Sequence, residues 1–252
     1  MNHIIISPAR LCLAILLLTM PACMSAQKPE RPDTVRGWYI GIEGGTAIGM
    51  CTFRSFSDRH KRLGIEGGLF LGYRFSRVLS ADANIAFGGM KMEACDCCPY
   101  WLGDDGGRYF APVLDGQGVY YEDLTAKVSF QRFGLRLNAD ILKLLNRYSG
   151  TRWRVMLSPQ LSAVHTATDV VDRDGHAARG AAAESSQWHL GLGGQLSVGY
   201  ALSPSVELSL YGGLTHLTGS RYDLMPKHGH QTNLIYDAGL RLVYHLNRSK
   251  KN

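Results

Sequence analysis

A period of two, repeated along most of the chain, is the feature that most restricts its fold. In residues 232–246, Leu234, Tyr236, Ala238, Leu240, Leu242, Tyr244 and Leu246 fall on one face, while Asp237, Gly239, Arg241 and His245 fall on the other. Successive side chains of a strand point to opposite faces, so this segment is a β-strand. The same alternation marks residues 37–49, 63–75, 79–89, 122–139, 153–163, 188–200 and 206–214, which makes eight strands in all. Within 122–139 the phase changes, because Leu124, Ala126, Val128 and Phe130 are even-numbered whereas Phe133, Leu135 and Leu137 are odd. A one-residue β-bulge near Gln131 and Arg132 is expected to restore a single apolar face.

The connections alternate in length. Strands two to three and six to seven are joined by a few residues around Ser76-Arg77 and Ser203-Pro204, whereas 50–62, 90–121, 166–186 and 218–231 are longer and polar. Short turns at one end and long loops at the other are what a transmembrane β-barrel shows. The exception is 140–150, on the short-turn side, which has room for one helical turn. At 252 residues the chain suits one domain, and with 29 Gly and 19% charged residues it resembles neither a disordered nor a long helical protein.

Eight amphipathic strands can also close into a soluble barrel with the apolar face inward. Side-chain volume argues against that, since the Trp, Leu, Phe and Tyr of nearly every strand overfill so small an interior. The opposite face carries Gly, Ser, Ala and Asn with charges of both signs: Glu43, Glu66, Arg74, Asp82, Lys127, Arg136, Arg154, Glu207, Asp237 and Arg241. Turned inward, the glycines permit tight curvature and the charges form a lumen network, while the apolar face meets lipid. Trp38, Tyr73, Phe75, Trp153, Trp188, Tyr200 and Tyr244 lie near strand ends, as interface girdles do. The expected fold is therefore all-β: an eight-stranded antiparallel transmembrane barrel over 37–246, with four long loops on one side.

Export is expected from the N-terminus. Arg10 precedes an apolar core at 11–20, too short to span a bilayer as a helix. Cleavage after Ala26 removes a signal peptide, 1–26, and leaves a periplasmic leader at 27–36; 247–252 forms a periplasmic tail. Cys23 sits in a poor match to a lipoprotein processing site, because Met20 and Pro21 depart from it. The formal net charge of +6 is mild, and no basic run interleaved with aromatics suggests nucleic acid.

Asp237-Ala238-Gly239-Leu240-Arg241-Leu242-Val243-Tyr244 resembles the terminal signal of bacterial outer-membrane barrels, which the barrel-insertion machinery reads. From about 37 to 246 the chain resembles the eight-stranded OmpA/OmpX type, and 140–153 together with Ala26-Gln27 looks like members from the Bacteroidota. The resemblance implies a place in the cell outer membrane, contact with its lipid and lipopolysaccharide, and a structural or surface-binding role toward an extracellular ligand. It implies neither catalysis nor a cofactor.

Cys51, Cys95, Cys97 and Cys98 remain after cleavage, and an exported chain reaches a compartment where disulfides persist. A bond from Cys51 to one of Cys95, Cys97 or Cys98 is expected to staple the first two long loops. A rim site for a soft metal, with His60 added, is the weaker alternative, because Cys-x-Cys-Cys lacks the spacing of structural zinc sites. His228-Gly229-His230 is expected to be solvated. Thr215-His216-Leu217-Thr218 invites comparison with the lipid A deacylases, barrels bearing His-x-Ser-Asn on a late strand. His216 matches their general base, but Thr218 and Gly219 occupy the two other motif positions. No Glu follows His216 to orient it.

Overall fold

The alternating segments pair in chain order, except that an inserted loop sheet interrupts them, and the last returns to the first. The computed structural model describes residues 36–56, 61–94, 100–110, 118–145, 151–178, 186–226 and 233–246. In chain order the elements are β1 (Gly37–Met50), β2 (Ile65–Arg74), β3 (Leu79–Glu93), β4 (Tyr100–Gly103), β5 (Arg108–Phe110), β6 (Gly118–Tyr120), β7 (Thr125–Asp140), α1 (Ile141–Leu144), β8 (Trp153–Val171), β9 (Ser186–Ala201), β10 (Val206–Leu217) and β11 (Leu234–His245). Eight of them form a closed antiparallel barrel in the order β1, β11, β10, β9, β8, β7, β3, β2. β11 closes it by pairing β10 on one edge and β1 on the other, which sets Glu43 opposite Arg241. The signal segment, most of the leader and the tail lie outside the described residues.

The expected bulge is absent. β7 runs from Thr125 to Asp140 against β3 in one unbroken register, from Glu93 opposite Thr125 to Leu79 opposite Ala139. Even-numbered residues of β7 point inward throughout, and the chemistry of both faces changes at one level instead. Below it, Phe133, Leu135 and Leu137 face out and Arg132, Arg136 and Asn138 face in; above it, Lys127, Ser129 and Gln131 face out and Ala126, Val128 and Phe130 face in. The physical reason is a change of solvent. A wall in lipid is apolar outside and can be polar within, whereas a wall standing in water buries its apolar side chains as any soluble protein does. Strand length agrees: β8 has 19 residues, about 60 Å at 3.3 Å per residue. At a tilt of about 40° such a strand stands roughly twice as tall as an apolar band of about 25 Å.

The barrel thus holds two stacked interiors. The lower one, on the short-turn side, is ionic. The upper one is an apolar core of Met90, Met92, Val128, Phe130, Val164 and Ile235, closed from the loop side by Phe53, Tyr222 and Met225. Two glycines let the lower wall accept large rings: a Cβ at Gly41 would collide with the Phe70 ring, and one at Gly72 with the Tyr39 ring. The 140–150 connection does hold a helical turn, α1, whose N-terminus is capped by Asp140 accepting from the Lys143 N–H at 3.3 Å.

Candidate functional site

Alternation on neighbouring strands brings charges from distant parts of the chain to common levels in the lumen. At mid-height, Arg136 on β7 is buried and reaches two carboxylates, with Nε 2.6 Å from Asp82 Oδ1 and Nη1 2.8 Å from Glu43 Oε2. Arg241 Nη2 lies 3.0 Å from the same Glu43 oxygen. Both arginines donate to Gln195 Oε1, at 3.0 and 2.7 Å, and both guanidinium carbons sit 5.2 Å from the centre of the Phe70 ring. Asp82 also accepts from Asn138 Nδ2 at 2.6 Å. One level up, Arg132 joins Asp237 at 2.7 Å and Glu66 at 3.4 Å, and Tyr211 OH donates to Glu66 at 2.9 Å. Near the short turns, Arg154 Nη1 is 3.0 Å from Glu207, with Asp140 at 3.9 Å from its Nε. Arg74 lines a cavity of about 20 Å³ there, room for about one water molecule.

Nine of the ten residues expected in the lumen therefore face it. Lys127 does not. Its side chain is exposed on the outer face of β7, because the strand has no bulge to change its parity and lies above the apolar belt at that height. Arg132, conversely, stands where the bulge is expected and is one of the most deeply buried side chains, 2% exposed. The signal for it was available: Arg132, Gly134, Arg136, Asn138 and Asp140 form an unbroken polar run of one parity.

The expected staple from Cys51 is not formed. Inward parity on β1 continues past the strand through Cys51 to Phe53, which carries the thiol under the loops, away from the rim. It is free and donates to Asn233 Oδ1 at 3.0 Å. Cys95, Cys97 and Cys98, like His60, His228 and His230, lie outside the described residues. Around Cys51 a set of polar groups ties residues 51–53 to residues 221–225. Asp223 accepts from the N–H of Phe53 at 2.8 Å and of Met225 at 3.2 Å, Tyr222 OH donates to Leu234 O at 2.8 Å, and Arg221 donates to Thr52 Oγ1 at 2.7 Å. Burial pushes both the Cys51 thiol and the Asp223 carboxyl above their ordinary ranges. A thiol held protonated and enclosed reacts slowly. Alkylation with peptide mapping should accordingly find Cys51 unmodified in the folded protein and fully modified in denaturant without reductant. A disulfide-linked Cys51 peptide would overturn this placement.

At the rim, His216 is exposed on the outer face of β10, at the edge of a cleft of about 600 Å³ that Gln187, Thr218, Arg221 and Leu224 also line. Thr218 Oγ1 donates to the Leu190 carbonyl at 3.1 Å. The loop after β3 builds its own three-stranded sheet in the order β5, β4, β6. Trp101 stacks on Tyr109 at 4.7 Å, Arg108 lies 4.4 Å over Tyr100, and Phe110 is 70% exposed. Asp172, Asp174 and His176 bring potential metal-ligand atoms within 4.8 Å of one another. That geometry is accounted for by a turn in which the His176 N–H donates to Asp172 Oδ1 at 2.8 Å.

With charges inside and an apolar belt outside, the architecture is that of an eight-stranded outer-membrane barrel. No family model matches the chain, and no curated protein does. Solved structures do match. Neisserial surface protein A (NspA) is 14% identical over 83% of this chain and 97% of its own, with a TM-score of 0.46. A major outer membrane protein from Thermus thermophilus is 13% identical over 83% and 99%, also at 0.46. The outer membrane protein OprG from Pseudomonas aeruginosa is 15% identical over 84% and 98%, at 0.41.

Beyond Arg132, sequence reasoning missed Gln195, Asn138 and Tyr211 in this barrel's lumen. Each is an ordinary polar residue on an inward position, and only the closed register shows which charge it serves.

Proposed function

We propose that the protein resides in the cell outer membrane and acts without catalysis, in envelope structure and through contacts made at its extracellular loops. The observation that carries this reading is the doubly filled lumen. An ionic layer centred on Arg136 and Arg132 is overlaid by an apolar layer closed by Phe53 and Tyr222, so solute passage is not what the interior serves. What remains for interaction is the outer surface: the lipid-facing belt for membrane lipid and lipopolysaccharide, and the aromatic sheet β4 to β6 for an extracellular ligand. β11, with its terminal signal, is the segment the barrel-insertion machinery would read. The finer assignments that go with this reading are the OmpA/OmpX type, an origin in the Bacteroidota and removal of residues 1–26 on export. Against a lipid A deacylase stands the Thr218 hydroxyl, already committed to Leu190, with Gly219 beside it offering no side chain. Protease added to intact cells tests the reading. Cleavage is expected within 104–118 or 172–186, with the 202–205 turn untouched; cleavage at that turn in sealed cells would reverse the orientation or remove the membrane.

A further inference from the structure

The residue that left the predicted lumen points to a site on the outer wall. Lys127 on β7 stands directly opposite Lys91 on β3, and both side chains are exposed outward. Residues paired in this way have Cβ atoms about 5 Å apart, and like charges so placed destabilise a sheet. Neither lysine is ion-paired among the described residues. Asp169 stands opposite Lys127 on β8, and the next step up β3 carries Glu93 paired with Arg62. Three bases (Lys91, Lys127, Arg62) against two acids (Asp169, Glu93) leave this patch positive.

What lies beneath the lysines gives the ligand its shape. The next outward residues down are Gly89, Ser129 and Ala167, all small, with Ser129 Oγ turned onto the Ala167 carbonyl at 3.2 Å. Below them come Phe87, Gln131 and His165, the last 4.9 Å from Trp188, which in turn stacks on Phe133 at 6.2 Å. This aromatic row is the upper edge of the apolar belt. Four residues separate it from the lysines, about 13 Å along the strand and roughly 10 Å in height at the usual tilt. A basic pair, a flat shelf of small side chains and an apolar wall thus follow one another within the thickness of a lipid headgroup layer.

We infer that the outer face of β3, β7 and β8 binds a phosphorylated glycolipid of the outer leaflet. A phosphate sits between Lys91 and Lys127, where it relieves their repulsion. The sugar lies on Gly89, Ser129 and Ala167, and the acyl chains run down Phe87, Phe133 and the residues below. The inference rests on the outer-membrane reading above and names the lipid partner of that surface.

The test uses the full folded chain reconstituted with a neutral phospholipid, so that its failure leaves the cellular topology, read by proteolysis, unaffected. Diphosphoryl lipid A and its dephosphorylated form are the probes, and bound lipid is counted by native mass spectrometry. Diphosphoryl lipid A should bind about ten-fold or more tighter, the equivalent of one charge-assisted contact. Lys91→Gln with Lys127→Gln should erase that preference. Lys91→Arg with Lys127→Arg should keep it, as should Lys61→Gln with Arg173→Gln, which removes equal charge from the loops. Heat-modifiable migration verifies that each variant is folded. An unselective native protein, a preference that survives the double glutamine variant, or an equal loss in the loop variant would each overturn the site.

Discussion

Replacing Arg136 by Met is expected to lower the stability of the barrel by about 3–5 kcal/mol, because it leaves a buried carboxylate without its counter-charge. The two acids it serves are not equally exposed to the loss. Glu43 keeps Arg241 at 3.0 Å, whereas Asp82 keeps, among the described residues, only the neutral donors Asn138 and Tyr39. Adding Asp82→Asn to Arg136→Met should therefore recover part of the stability, so that the double variant unfolds at higher urea than the single. The measurement is the midpoint of urea unfolding in detergent, followed by heat-modifiable migration. If the single variant unfolds at the native midpoint, the ionic layer does not hold the lumen together.

Phe53→Ala should have an effect of similar size confined to the upper layer. Phe53 is fully buried and packs edge-on against Tyr121, with ring centres 5.6 Å apart. Truncating such a ring costs about 3–5 kcal/mol through lost burial and the cavity left behind. The loss falls on the closure of residues 51–56 and 221–225 over the barrel mouth, since the ring belongs to the apolar cluster. Hydrogen exchange should show faster opening at the Phe53 and Met225 amides, both held by Asp223, with β2 and the lower part of β7 unchanged. Uniform acceleration along β2 and β7 would mean that the two layers unfold as one unit.

A further consequence of the two layers is that the outer wall has two chemistries. The belt from Leu137 up to Phe133 suits lipid, and the wall from Gln131 up to Lys127 suits headgroups and water. A barrel that stands above its membrane gains outward-facing wall at the height of the headgroups. That wall can carry recognition that loops carry in shorter barrels. The loops of this protein are occupied in part with another task, since Phe53, Tyr222 and Met225 serve as the lid of a core.

The alternation of Leu, Ile and Phe with Gly and charged residues was enough to specify the eight barrel strands, their closure and the outward direction of the apolar face in the lower barrel, though not the loop sheet β4 to β6 or the inward apolar face above it. These follow from the sequence because each is a local consequence of side-chain parity and of which solvent an apolar row must meet. Inward positions of Glu43, Asp82, Arg136 and Arg241 were legible for the same reason. Three outcomes needed the tertiary structure. The phase change in β7 was open to a bulge or a change of solvent, and only the unbroken register with β3 separates them; Lys127 and Arg132 exchange sides on that choice. The partner of each charge depends on which strands meet across the lumen, so that Arg132 on β7 finds Asp237 on β11, 105 residues away. Cys51 depended on where the chain goes after its strand, and the chain goes inward: burying Phe53 in an apolar mouth gains more than leaving the loop in water, and the thiol is carried in with it.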